Sequence, residues 1–411
     1  MMLTRRTFLG SAAVGAALFG GVRMGMAGKS DLRGRFLFVH AEGGWDPLCV
    51  FAPLFDAPNI DLEPEAAPWT IGGLALVDHP ARPTTRGFFE RHHAEVALLN
   101  GVSTRSVNHE TCQVVALTGG TSVDRPDWGT VLGYAGRGTA SLPHLVVSGP
   151  VVPGPYSVFV AQARGRLQQA IDGSILLDND APLTLPAAAP ARVVDRFLEQ
   201  RATALVGMLP NEPHAADYRE ALSRSRALVD GRLEQQLVSG EDFRGRAATA
   251  ISALSAGICR CASVGTDFVW DTHEDNRLQT GLFEAFFADL EELLARLHTT
   301  PGPNGGVLAD DTVVVVTSEM ARTPAFNGTG GRDHWPYTSM MMIGPGIVGD
   351  RVYGGFSSLY TGIGVGPSGA LEPAIPGISA ESLGATLLTL GDVDPQEYLS
   401  DAAQPIPGLL A

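Results

Sequence analysis

The sequence predicts an α/β fold: a mostly parallel central sheet with helices on both faces and an inserted helical subdomain. Three observations predict it. Short apolar runs recur along the chain, each is followed by a polar or glycine-bearing loop, and amphipathic helical stretches such as Gly281 to His298 are interleaved with them. Strands that are apolar on both faces belong inside a sheet covered on both sides, which is the parallel-sheet pattern.

The runs occur in order. Arg35-Phe36-Leu37-Phe38-Val39-His40 is the first buried strand, closing on Gly43-Gly44. Glu95 to Asn100, His144 to Gly149, Asp267 to Trp270 and Asp311 to Thr317 follow as further strands. Between Pro190 and about 240 the pattern changes to charged, periodic helix, with Val193, Val194, Phe197 and Leu198 in one stretch and Leu222, Leu228, Leu233 and Leu237 in another. This is the expected helical insertion, bounded by the proline-rich tract from Ala181 to Pro190.

Composition agrees with a folded globular chain. Of 411 residues, 45% are hydrophobic and 18% charged, which excludes disordered, collagenous and coiled-coil classes. The length permits two or three domains, and one large α/β domain with an insertion fits equally well.

The first 27 residues stand apart. Thr4-Arg5-Arg6-Thr7-Phe8-Leu9 places paired arginines before a small, apolar stretch from Gly10 to Gly21, and Gly25-Met26-Ala27 offers a cleavage site. This predicts a twin-arginine signal peptide over residues 1–27, recognised by the twin-arginine export machinery, and a mature protein in the periplasm or secreted. The stretch is too short and glycine-rich for stable membrane insertion, and no later run reaches 18 apolar residues. Without residues 1–27, 26 basic residues face 44 acidic ones, a formal charge of −18. Such a surface repels nucleic acid and anionic lipid.

Cys49, Cys112, Cys259 and Cys261 include no Cys-x-x-Cys pair, and Cys259 and Cys261 sit two apart where helical side chains diverge. They are expected to be structural thiols.

In open α/β sheets ligands gather beyond the carboxyl ends of strands. Four loops at such positions carry metal-capable side chains: Glu42 and Asp46 after the first strand, Asp271 and His273 after Trp270, Glu319 and Arg322 after the valine strand, and Asp333 and His334 after Gly330-Gly331. Each alone reads equally well as a cap or an ion pair. Together they point to one shared site. Mixed Asp, Glu and His donors suit a divalent metal, zinc first; manganese and iron also fit, and magnesium or calcium less well because imidazole favours transition metals. His79, His92, His93, His144, His214 and His298 lack such loops and are expected at surfaces or caps.

The four loops also carry a resemblance. Asp310 to Glu319, preceded by the helix from Gly281 to His298, resembles the late helix-strand unit of the alkaline phosphatase superfamily. Gly43-Gly44-Trp45-Asp46, Trp270-Asp271-Thr272-His273, Ser318 to Pro324 and Gly330 to His334 resemble, in order, the exported family known as domain of unknown function 1501. The resemblance implies an alkaline phosphatase-like fold and an exported metal-dependent hydrolase of phosphate or sulfate esters, with an anionic ester as substrate. It implies metal ligation by Asp271, His273, Glu319, Asp333, His334 and either Glu42 or Asp46. His109 falls where relatives place a Ser or Thr nucleophile, with Ser106 and Thr111 as neighbouring alternatives, and Arg322 is placed to clamp the anion. Met320 stands where catalytic relatives have a histidine, which removes one ligand from a two-metal centre. A binding or scaffolding protein that keeps this fold without catalysis is the other expectation.

Overall fold

The computed structural model describes residues 34–162, 175–176, 182–183, 188–208, 215, 217–220, 223, 242–400 and 402–411. The expected signal peptide, His214 and most of the expected helical insertion lie outside these residues. Of that insertion, the helix Ala188–Met208 is described. Among the described residues no helix is long and apolar enough to cross a membrane.

Eleven strands form one sheet. In chain order they are β1 (Arg35–His40), β2 (Val96–Ser103), β3 (His144–Val146), β4 (Val160–Gln162), β5 (Cys261–Gly265), β6 (Thr312–Thr317), β7 (Tyr337–Ile343), β8 (Arg351–Phe356), β9 (Gly362–Val365), β10 (Leu371–Glu372) and β11 (Ile378–Ser379). Across the sheet the order is β10-β9-β8-β2-β7-β6-β1-β5-β3-β4, with β11 paired to β2. The run from β6 through β1, β5 and β3 to β4 is parallel throughout. β7 runs against both β6 and β2. The mostly parallel sheet predicted from the apolar runs is therefore present, with β7 reversed near its middle and β9 reversed toward one edge.

Period-two alternation divides the sheet into two cores. Leu37, Val39, Leu98, Val314 and Val316 face one side. Phe36, Phe38, Ala97, Leu99, Val313 and Val315 face the other. The first side is covered by α1 (Pro83–His92), α4 (Phe243–Ser255) and α5 (Leu278–Thr299), and the second by α2 (His109–Thr118), α3 (Trp128–Ala135) and α6 (Ala380–Leu390). In α5 the apolar residues Phe283, Phe286, Phe287, Leu290, Leu293, Leu294 and Leu297 recur at helical spacing and are all buried. Each such side chain contributes about 1.5–3 kcal/mol of transfer free energy. The pattern breaks at Thr300-Pro301, where proline cannot continue the helix.

Two expectations need correction. The strand expected at Asp267 to Trp270 lies earlier, at Cys261–Gly265, and residues 266–277 form a loop. Small residues in Cys261-Ala262-Ser263-Val264-Gly265 disguise a central strand that is buried along its whole length. His144 is not at the surface: it is buried in β3, with Nδ1 3.1 Å from Thr130 Oγ1 and Nε2 2.9 Å from Ser263 Oγ. All four cysteines are buried free thiols.

Strand direction sets where the loops meet. His40 of β1 pairs with Thr317 of β6 and Gly265 of β5, so the loops after these three strands leave the same edge side by side. β2 is antiparallel to β7, which is antiparallel to β6, so β2 also ends at that edge and leads into α2. Reversed β7 starts there, with Tyr337 opposite Ser103, and brings the preceding Asp333-His334 to the same place.

Candidate metal centre

Each loop is held rigidly before any ligand is considered. His109 is the first residue of α2, whose N-cap Asn108 accepts from Thr111 N at 3.0 Å. The 266–277 loop is pinned by Gln279, whose Nε2 donates to Trp270 O at 2.9 Å and to Thr272 Oγ1 at 3.1 Å. Gly43 has φ +108°, and a Cβ there would lie 2.7 Å from Trp270 N, so this close passage of two backbones requires glycine. His334 pairs with Arg322 in a short antiparallel ladder.

The loops bring four side chains together. His273 Nε2 lies 2.8 Å from His334 Nε2 and 3.0 Å from Asp271 Oδ1. His334 Nε2 is 3.2 Å from Asp271 Oδ1, and His109 Nε2 is 3.6 Å from Asp271 Oδ2. Ligand atoms of His109, Asp271 and His334 all lie within 4.8 Å of one another.

Each ring also has an acceptor at its opposite nitrogen. His334 Nδ1 lies 2.7 Å from the Val107 carbonyl, His273 Nδ1 3.0 Å from Asp333 Oδ1, and His109 Nδ1 2.9 Å from Glu319 Oε1. Carbonyls and carboxylates only accept, so a neutral ring that turns an Nε2 lone pair to a cation carries its proton on Nδ1 and donates it to this partner, whereas without a cation the Asp271 carboxylate accepts equally well from Nε2. With the protons on Nδ1, three Nε2 lone pairs face one carboxylate. A cation satisfies this arrangement, and nitrogen donors with one oxygen donor suit zinc and neighbouring transition metals. The residues present fit a divalent metal.

Electrostatics support the same arrangement. Partial burial works to raise the Asp271 carboxyl, but the Arg322 guanidinium, 2.8 Å away, and His334 outweigh it and hold it below the usual carboxylate range. The hydrogen bond that His109 gives to Glu319 raises the His109 imidazole, making the ring more basic. The bond from His273 holds Asp333 low. Burial, followed by the charge of Glu319, raises the Glu42 carboxyl, which accepts from Gln113 Nε2 at 3.3 Å.

The remaining expected site residues take other places. Asp46 is fully buried; it caps a short helical turn at Leu48 N, accepts from Asn276 Nδ2 at 2.8 Å and pairs with Arg332 Nε at 3.1 Å. It is a structural carboxylate held away from the histidines. Arg322 is not a substrate clamp: it is fully buried, donates to the Gly43 and Gly44 carbonyls and to Arg332 O, and faces Asp271. Met320 is buried against the Gly44 backbone. Asp333 and Glu319 meet the histidines at Nδ1, on the far side of each ring from the convergence. The Val107 carbonyl and Gln279 were not foreseen, because a backbone acceptor leaves no mark in a sequence and a lone glutamine at a helix start is unremarkable.

Residues 234–402 match the family model DUF1501, described as a protein of unknown function. The DUF1501 match takes in Asp271, His273, Glu319, Arg322, Asp333 and His334, while Glu42 and His109 precede it. Among curated proteins no sequence matches. Solved structures with a similar course of chain include Ps i-CgsB in complex with k-i-k-neocarrahexaose, at 9% identity, covering 88% of this chain and 72% of that one, with a TM-score of 0.37. The lipoteichoic acid synthase LtaP from Listeria monocytogenes is 10% identical, covering 98% and 80%, with a TM-score of 0.35. A protein in the alkaline phosphatase superfamily from Vibrio parahaemolyticus is 9% identical, covering 95% and 76%, with a TM-score of 0.35.

Proposed function

We propose that this chain is an exported, divalent-metal-dependent hydrolase of phosphate or sulfate esters, with His109, Asp271, His273 and His334 as the metal-holding residues. One observation carries the reading: three imidazoles tied at Nδ1 turn their Nε2 atoms toward one carboxylate, with 2.8 Å between two of those nitrogens. When bound there, a divalent cation supplies positive charge opposite the anionic oxygens of an ester.

The chain's own residues have separate tasks. Arg322 holds Asp271 ionised and in place through a buried contact. Glu42, whose raised carboxyl sits beside Gln113 one helical turn along α2 from His109, is the group suited to carry a proton to or from a reacting oxygen. In this reading His109 occupies the nucleophile's place in the superfamily as a metal donor, so the attacking oxygen comes from water. The twin-arginine stretch at residues 1–27 directs export of the folded chain to the periplasm, and the acidic exterior turns nucleic acid away.

A second reading is favoured by one observation. Arg322, the arginine paired with Asp271, has all three nitrogens engaged with protein groups, which leaves the anion of a substrate without that partner. On this reading the protein binds metal and a partner and does not turn over esters.

One experiment separates them. Protein purified from its exported form is analysed for metals and then assayed on 4-nitrophenyl phosphate and 4-nitrophenyl sulfate before and after chelation and zinc restoration. Bound metal with chelator-sensitive turnover supports the hydrolase, metal without turnover supports the binding protein, and protein that neither contains nor takes up a divalent ion overturns both.

A further inference from the structure

We propose that Glu319 is a positioning residue outside the metal's coordination sphere: it fixes His109 so that Nε2 faces the cation. The inference rests on the metal-centre reading above and departs from the ligand role that the resemblance implies for this position.

Glu319 Oε1 accepts two hydrogen bonds, from Gly43 N at 2.7 Å and from His109 Nδ1 at 2.9 Å. Its side chain is 5% exposed, so the carboxylate is held by these bonds in a nearly closed environment. Nδ1 and Nε2 lie on different edges of an imidazole. Asp271 Oδ2 approaches His109 at Nε2, whereas Glu319 approaches at Nδ1, so the two acids flank the ring. The compact set of ligand atoms within 4.8 Å comprises His109, Asp271 and His334.

The same construction occurs at the other two rings, where Asp333 and the Val107 carbonyl hold Nδ1 of His273 and His334. Three histidines with three outer acceptors form a consistent second layer. Such outer partners fix ring orientation and raise donor basicity, and losing one typically weakens metal binding by about 10–100-fold. Glu319 also bonds the backbone of Gly43, and the neighbouring Ser318 Oγ accepts from Trp45 N at 3.2 Å, so the acid is itself anchored between two strand-end loops.

Cobalt(II) provides a test independent of turnover. The full chain, E319Q, E319A and H109A are titrated with cobalt(II), following visible absorption and affinity, with thermal midpoints recorded for each apo protein. Glutamine keeps an accepting oxygen but is a poor metal ligand. E319Q should therefore bind within about threefold of the unmodified protein and give the same spectrum at saturation. E319A should bind about 10–100-fold more weakly, reaching the same spectrum. H109A should show an altered spectrum because a nitrogen donor is lost. An E319Q protein with an unchanged midpoint but an altered saturated spectrum, or with binding as weak as E319A, overturns the proposal. If E319A does not fold, E319Q and H109A still decide the question. Absence of cobalt binding by the unmodified chain removes the metal centre itself, and this inference with it.

Discussion

His273 Nε2 and His334 Nε2 face each other at 2.8 Å, while the opposite nitrogen of each ring lies against an acceptor, Asp333 Oδ1 for His273 and the Val107 carbonyl for His334. With both protons on those opposite nitrogens, two lone pairs at that distance repel unless positive charge lies beside them, so metal binding as proposed would depend on either ring.

Removing either ring should therefore deplete the centre. His273→Ala and His334→Ala are each expected to lower zinc affinity by at least about tenfold, measured by elemental analysis after dialysis against limiting zinc. Zinc at 100 times its dissociation constant should stabilise the unmodified chain by about 2.7 kcal/mol against urea and the variants by much less. Equal occupancy in all three proteins would remove these histidines from the site.

Arg322 links the Gly43-Gly44 turn to Asp271 from a fully buried position. Arg322→Met leaves three backbone carbonyls and one carboxylate without their donor. Breaking a buried pair costs about 3–5 kcal/mol, and the lower end applies because Asp271 keeps access to water. Urea unfolding of the apo protein measures it; a loss below 1 kcal/mol, on the order of a surface pair, contradicts the assignment.

Gly331 lies against the backbone of His273, and a Cβ added there would collide with the His273 carbonyl and with Glu274 N. Gly331→Ala should cost about 1–3 kcal/mol and weaken zinc binding by moving His273. Gly328 sits in the same loop with nothing within 4 Å of an added Cβ, so Gly328→Ala is the matched control and should change stability by less than about 0.5 kcal/mol. Indistinguishable behaviour of the two alanine variants counts against the contact.

Acid should destabilise the fold through two buried imidazoles. Burial lowers His40 to about 3 and His144 to about 3, well below the ordinary value of 6.5. As pH falls below 6.5 the unfolded chain takes up protons that the folded chain refuses, so stability present above 6.5 is progressively lost toward pH 3. At pH 5 the loss is about 2 kcal/mol for each ring. Asp127 opposes this: burial raises it to about 6, so its contribution is present below 3.8 and is lost as pH rises through about 6. Urea midpoints compared between the unmodified chain and His144→Asn at pH 7 and pH 5 isolate one ring. The variant should lose less on acidification, and parallel profiles would show that His144 titrates normally.

Much of this was legible in the sequence. Doubly apolar runs at Phe36 to Val39 and Val313 to Val316 announce buried parallel strands, and acids and imidazoles after such strands announce a rim site. The DUF1501 resemblance was legible as well, in motifs that the family model covers from residue 234 onward. Less visible was which atom of each side chain faces which partner. Asp46 and Asp271 look alike as acids in strand-end loops, yet one is enclosed by Arg332 and Asn276 and the other opens toward three histidines. For Arg322 an anion clamp and an ion pair read equally well, because sequence cannot show the Gly43 and Gly44 carbonyls, from positive-φ glycines, turned toward it. The strand at 261–265 escaped because packing against neighbours, not its own bulk, makes it a strand.

The reversed course of β7 has a consequence for assembly. It delivers His334 to a rim whose other donors come from α2, early in the chain, and from the loop after β5. No contiguous fragment limited to the 234–402 segment contains His109, so that segment alone lacks one of the four donors. On the proposed metal centre, ion capture is thereby coupled to completion of the whole sheet, and a nascent or truncated chain would be left without a finished trap.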